Sequence, residues 1–185
     1  WDYYALWLNG LPFEDAQGHW AVPYIIQTAL SGRMTGISPT QYAPERTLTR
    51  GEAAVILCRL LNLEAAPKRH PDFDDTGTHW ARDDIRTAHY HGLVAGVGGN
   101  RYEPDRPLTR QEMAVMLDGA LSGAGEKPGN NPFPDVSQSG NPWSYDAILR
   151  LYQAGIVGGF EDGTFRPEAG IRRAELAAML TKIEV

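Results

Sequence analysis

Cysteine is almost missing: Cys58 is the one thiol in 185 residues, so no intrachain disulfide and no multi-cysteine metal site can form. Thiol usage therefore says nothing about the compartment. Long apolar runs are missing too. No stretch approaches the roughly 18 to 20 consecutive apolar residues that a membrane-spanning helix requires, which argues against helical insertion into a bilayer. Positive charge is scarce, with 17 Lys and Arg against 23 Asp and Glu for a net charge of -6. That excludes the broad basic field on which nucleic-acid and anionic-membrane binders rely. Any anionic partner has to be held locally. Lysine supplies only 3 of the 17 basic residues, and the rest are arginine, the side chain suited to bidentate capture of a carboxylate. No basic-then-apolar leader is present, and a chain that opens at Trp1 reads as a mature or excised fragment. The 42% apolar content is ample for the buried core of an ordered, soluble protein.

What the chain does have is internal repetition. An offset of 60 superimposes Phe13-Glu14-Asp15 on Phe73-Asp74-Asp75, His19-Trp20-Ala21 on His79-Trp80-Ala81, and Leu48-Thr49-Arg50-Gly51-Glu52 on Leu108-Thr109-Arg110-Gln111-Glu112. Phe133-Pro134-Asp135 continues the series, while Trp143, Gly155, Gly159, Phe165, Pro167, Arg173 and Glu175 follow at an offset of 63, so three residues are inserted after Asp135. Such recurrence signals units that bury their apolar faces only against neighbours. The copies span 11–66, 71–124 and 131–185, and residues 1–10, with Trp1, Tyr4, Ala5 and Leu8 at helical spacing, read as an extra helix packing on the core.

Within each copy a first helix should begin after the Trp. Val22, Ile25, Ile26, Ala29 and Leu30 fall at i, i+3, i+4, i+7 and i+8, and Tyr145, Ile148, Leu149 and Tyr152 repeat the stripe. Gly32, Gly92 and Gly155 close these helices where a left-handed cap is wanted. Gly36, Gly96 and Gly159 follow, and then a turn leads to an aromatic and a proline. The second helix starts at Thr49 and Thr109 with Glu52 and Glu112 three residues on, a reciprocal capping box. Ala53 to Leu61, Met113 to Leu121 and Leu176 to Ile183 are apolar on nearly every side, which demands burial. The spacing thus predicts a mainly α protein: three tandem helix-turn-helix repeats around a pseudo-threefold central three-helix bundle.

The ordered series Phe-x-Asp, Trp-led helix, Gly-x-x-x-Gly, aromatic-x-Pro turn and Thr-Arg-x-Glu resembles the S-layer homology family over about residues 11 to 185. The resemblance implies non-covalent anchoring of a bacterial surface protein, extracellular at the cell wall or S-layer. It implies binding of secondary cell-wall polysaccharide, often bearing pyruvate ketals on N-acetylmannosamine, in grooves between modules. Thr-Arg-x-Glu is a main contributor to those grooves in the family, and it matches Thr49-Arg50-Gly51-Glu52 and Thr109-Arg110-Gln111-Glu112. The third copy reads Arg172-Arg173-Ala174-Glu175, so its groove is expected to be altered, with Glu175 still in the capping position. Gly36, Gly96 and Gly159 join the ligand contacts on the same analogy. Copy one departs at Ser38-Pro39-Thr40, where the family's turn usually has Asp-Gly.

The residues themselves leave alternatives open. Arg50, Arg110 and Arg173 stand in the first turn of a helix, where a cation is unfavourable by about 0.3 to 1 kcal/mol. One reason for accepting that cost three times is anion capture by the guanidinium, with helix-start amides not used by the cap adding donors. The other is structural: pairing with Asp15, Asp75 or Asp135, or capping a carbonyl of an adjacent helix. Trp20, Trp80 and Trp143 are core anchors or platforms for a sugar ring. Asp15, Asp75 and Asp135 cap a turn or share in contacts to ligand hydroxyls. His19 and His79 give way to Pro142 in copy three, and His89 and His91 face different sides of a helix, so no metal, cofactor or catalytic group is expected. Cys58 reads as a small buried hydrophobe. The competing functions are direct peptidoglycan binding, a protein-binding helical repeat for lattice assembly, and a glycoside hydrolase with paired carboxylates, for which no group stands apart from the repeat.

Overall fold

The computed structural model describes residues 12–121 and 129–183, so the helix expected at 1–10 lies outside the described residues. A short 3-10 turn, Glu14–Ala16, precedes six helices: α1 (Val22–Leu30), α2 (Arg50–Leu60), α3 (Arg82–Tyr90), α4 (Arg110–Ala120), α5 (Tyr145–Gln153) and α6 (Arg173–Leu180). Each copy contributes two. Among the described residues there is no strand, only isolated bridges, and no helix is long and apolar enough to cross a membrane. The protein is mainly α, as the spacing predicts.

The helix ends follow the local chemistry. Thr49 accepts from the Glu52 amide at 3.3 Å while Glu52 Oε2 accepts from the Thr49 amide at 2.9 Å, and Thr109 and Glu112 repeat both bonds. Arg172 has no acceptor in its side chain, so only half the box forms there, the Arg172 amide donating to Glu175 at 2.8 Å. Gly32, Gly92 and Gly155 take φ of +70°, +73° and +72° just past α1, α3 and α5, a conformation glycine adopts without steric cost.

The chain divides into two compact units. The first joins Trp1–Thr47 to Arg172–Val185. In it α1 packs on α6, so the first helix of copy one is covered by the second helix of copy three. Arg33 donates to Leu180 O at 2.9 Å and to Ile183 O at 3.0 Å, adding a side-chain donor to carbonyls at and just past the end of α6.

The second unit is Leu48–Ile171. There α3 packs on α2, α5 packs on α4, and α2 touches α4, so each first helix lies on the second helix of the copy before it. Leu48, Leu108 and Ile171 occupy the same place in the three copies and are fully buried. Their backbones close a ring: Leu48 N donates to Ile171 O at 3.0 Å, Leu108 N to Leu48 O at 2.9 Å and Ile171 N to Leu108 O at 2.9 Å. Three copies thus meet at one point by satisfying one another's backbone groups. Asp118, a buried charge in α4, is neutralised by a bidentate bond from Arg150 of α5 at 2.9 and 2.6 Å, the geometry that makes a buried carboxylate tolerable.

Candidate functional site

The recurring arginines are buried, each only 4% exposed. Arg50 Nε donates to Tyr102 O at 2.8 Å, its NH2 to Ala95 O at 2.8 Å and its NH1 to Glu112 Oε1 at 3.3 Å. Arg110 Nε donates to Phe165 O at 2.7 Å and its NH2 to Gly158 O at 3.3 Å. Arg173 makes the equivalent bonds to Tyr42 O at 2.7 Å and Thr35 O at 2.5 Å. Each guanidinium also lies over the aromatic ring of the same turn, at 4.6 Å from Tyr102, 4.7 Å from Phe165 and 4.7 Å from Tyr42. The cation at each helix start thus rests on carbonyl dipoles and a ring face. The third copy, despite Arg172 in the capping position, holds Arg173 in the same way.

The helix-start amides are not spare donors. Arg50 N goes to Arg106 O at 3.0 Å and Gly51 N to Pro104 O at 2.8 Å. Arg110 N goes to Ala169 O at 2.9 Å and Gln111 N to Pro167 O at 3.0 Å, and Arg173 N and Ala174 N find Arg46 O and Pro44 O at 3.0 and 2.9 Å. The expectation that such amides add to anion capture is overturned, because turn carbonyls of another copy have consumed them. The guanidinium itself retains capacity. Three of the five N–H groups of Arg50 are engaged among the described residues, and a fork of five donors leaves two for a further acceptor.

Asp15, Asp75 and Asp135 pin that same turn. Both oxygens of Asp75 accept amides, Tyr102 N at 2.9 Å and Glu103 N at 2.8 Å, and Asp15 does the same for Tyr42 and Ala43, Asp135 for Phe165 and Arg166. The second residue of each pair has a left-handed backbone, with φ of +56° at Ala43, +57° at Glu103 and +57° at Arg166, which costs a non-glycine residue about 1 kcal/mol or more. The carboxylate offsets that strain. Burial pushes the Asp75 carboxyl up, yet the Tyr102 and Glu103 amides outweigh it and hold it below the usual range. The glycines sit beneath the ring of Phe-x-Asp: a Cβ on Gly96 would stand 2.7 Å from Phe73 and 2.8 Å from Arg101 O, and one on Gly159 3.0 Å from Phe133. Gly36 is pressed against Phe13 in the same manner.

The tryptophans are not core anchors. Trp20, Trp80 and Trp143 are 57%, 66% and 55% exposed, because the residues that enter the core beside them are Ala21, Ala81 and Ser144, each fully buried. The neighbouring histidines brace the turns that carry Trp20 and Trp80: His19 and His79 accept the Ala21 and Ala81 amides on Nδ1 at 3.1 Å, which fixes Nε2 as donor to Glu45 at 2.7 Å and Asp105 at 3.2 Å. Copy three replaces this device with a cluster that sequence reasoning missed, in which Ser144 and Asn141 donate to Gln111 Oε1 at 2.9 and 3.3 Å. The swap has a visible cue in Gly51, which lies against His79 where Gln111 fills the corresponding space.

Within the second unit these parts line one groove of about 470 Å³, well inside the range of ligand clefts, about 300 to 1,000 Å³. Arg50 and Glu112 stand at its polar end, Val97 and Met116 give an apolar wall, the backbone of Gly96 forms one side, and Trp143 borders it. All three copies contribute. Glu112 is held ionised: burial raises its carboxyl, but the Arg106 hydrogen bond and the Thr109 amide and hydroxyl pull it below the ordinary value. Charged, aromatic and apolar surfaces are therefore gathered in one place.

The family model described as the S-layer homology domain matches residues 12–54, 72–114 and 132–177, which are the three copies. An endoglucanase of a Bacillus species (strain KSM-635) is 31% identical over 95% of this chain and 19% of its own length. A cellulosome-anchoring protein of Acetivibrio thermocellus is 31% identical over 76% of this chain and 33% of its own. An S-layer protein of Bacillus licheniformis is 28% identical over 92% and 20%. The chain spans a third or less of each of these relatives. With its three copies in register, its capped second helices and its arginine-held turns, the chain belongs to the S-layer homology domain family.

Proposed function

We propose that this chain anchors a protein to the bacterial cell wall by binding secondary cell-wall polysaccharide in grooves between its repeats, with an anionic substituent such as a pyruvate ketal seated on the arginine. The carrying observation is the groove that brings Arg50, with donors to spare, and the more than half-exposed Trp143 to the same cavity. The guanidinium suits a carboxylate and the indole suits a sugar ring.

The relatives support the anchoring part. Proteins named for cellulose hydrolysis, scaffold anchoring and surface lattices share this segment while it makes up a minor share of each. A shared role in attachment fits so varied a set of names, one of which states anchoring outright. The chain's place is outside the cell, at the wall. The recurring carboxylates do not favour catalysis here: Asp15, Asp75 and Asp135 are bound to amides, and Glu112 to its cap and two arginines.

Pelleting with purified sacculi, before and after chemical removal of the attached polymer, tests the reading. Co-sedimentation with intact sacculi and its loss after stripping is the expected result. Equal binding to stripped sacculi would transfer the ligand to peptidoglycan, binding to neither together with self-association would favour lattice assembly, and release of reducing sugar would reveal an enzyme.

A further inference from the structure

We infer that Arg106 sets the charge sign of the groove and acts as its positioning residue: by holding the Glu112 carboxylate, it leaves Arg50 able to receive an anion. The inference rests on the reading of the groove as a glycan site.

The problem that Arg106 solves is visible in the groove's lining. Arg50 and Glu112 face the cavity together, and Glu112 Oε1 accepts from Arg50 NH1 at 3.3 Å. A lone cation and a lone carboxylate would cancel, and a ligand carboxylate arriving at Arg50 would meet Glu112 as a rival of like charge. Glu112 cannot be dispensed with, since Oε2 accepts the Thr109 amide at 2.9 Å in the capping box. Its charge therefore has to be answered in place.

Arg106 answers it. Its NH2 donates to Glu112 Oε1 at 2.5 Å, closer than Arg50, and its NH1 reaches Oε2 at 3.4 Å, so the fork spans both oxygens. Two guanidinium groups against one carboxylate leave the cluster of Arg50, Arg106 and Glu112 with one net positive charge, and without Arg106 it would have none. Glu103 also pairs with Arg106 at 3.2 Å, but Glu103 is not part of the groove lining, and its side chain is 37% exposed against 16% for Glu112. Solvent screens that pair more than the one in the groove. Copy one carries an arginine at the same position, Arg46 at an offset of 60, whereas copy three, at an offset of 63, has Ala169.

The experiment is an NMR titration of the full chain with a methyl glycoside of N-acetylmannosamine bearing a pyruvate ketal, and with the methyl ester of the same ketal. Amide shifts at Gly96 and Val97 report on this groove. Wild type should prefer the acid. Arg106→Gln should weaken the acid by roughly tenfold, the effect of one unit charge a few ångströms away in a partly screened site, while the ester is unchanged. Arg106→Lys, which restores charge without the fork, should recover acid binding to within about threefold, and Glu103→Gln should leave it undiminished. Urea midpoints of the variants separate a charge effect from loss of the Thr109 cap, because a damaged fold weakens acid and ester alike. If Arg106→Gln keeps the wild-type preference for acid over ester, the role given to Arg106 is wrong and the glycan site stands. If wild type itself binds both forms equally, the anion-seating reading fails and this inference with it.

Discussion

Replacing Asp75 with Asn should cost the protein about 3 kcal/mol without first touching its affinity for glycan. The carboxylate accepts Tyr102 N at 2.9 Å and Glu103 N at 2.8 Å, and hydrogen bonds to a charged group are worth about 1.5 to 3 kcal/mol each. Asparagine keeps one acceptor oxygen. Its amide nitrogen would face the second backbone N–H donor to donor, and Glu103, at φ +57°, would lose what holds it in a left-handed conformation. The side chain is 18% exposed, so water can make good only part of the loss. The sign with pH follows from the lowered Asp75 carboxyl: a depressed acid stabilises the fold above the unfolded value, about 3.9, and that stability drains away as pH falls through the lower folded value. The gap between wild type and Asp75→Asn in urea unfolding followed by circular dichroism should thus be full at pH 7 and shrink below about pH 4. A gap under about 1 kcal/mol at pH 7, combined with lost binding to sacculi, would mean that Asp75 serves the ligand and not the turn.

Arg50→Ala should both weaken wall binding and lower stability by about 2 to 4 kcal/mol, since it strips partners from the carbonyls of Tyr102 and Ala95 and leaves Glu112 with one cation fewer; chemical denaturation measures it. Its carbonyl contacts make the arginine structural, one of the two readings that its helix-start position leaves open. Thr109→Ala removes the acceptor for the Glu112 amide and should cost about 0.5 to 2 kcal/mol, read from the shift in urea midpoint. His89, whose imidazole is held below its ordinary value by burial and then by His70 at 3.1 Å, binds a proton less readily folded than unfolded. Stability should therefore fall as pH drops below about 6.5, and His89→Gln should flatten that limb of a stability–pH curve. Cys58, pushed up to about 12 by burial and by Asp84, should resist alkylation by iodoacetamide at pH 8 in the folded chain and react promptly in urea.

Much of the architecture is legible in the sequence because it is written in local rules that recur. Val22 to Leu30 declares its helix by the 3.6-residue stripe, Gly32 by its tolerance of positive φ, and Thr109 with Glu112 by a capping box that needs only four consecutive residues. What those rules cannot say is whose carbonyl a given donor will find. Arg50 announces itself as a misplaced cation, but its partners Ala95 and Tyr102 lie 45 and 52 residues away, and nothing local chooses between them and a ligand. The same holds for the turn that Asp75 pins across 27 residues, and for the tryptophans, whose outward turn depends on Ala21, Ala81 and Ser144 claiming the core positions beside them. Tertiary structure decided that each first helix of the second unit packs on the second helix of the preceding copy, because an all-round apolar helix such as α2 must be covered and α3 of the next copy supplies a covering surface.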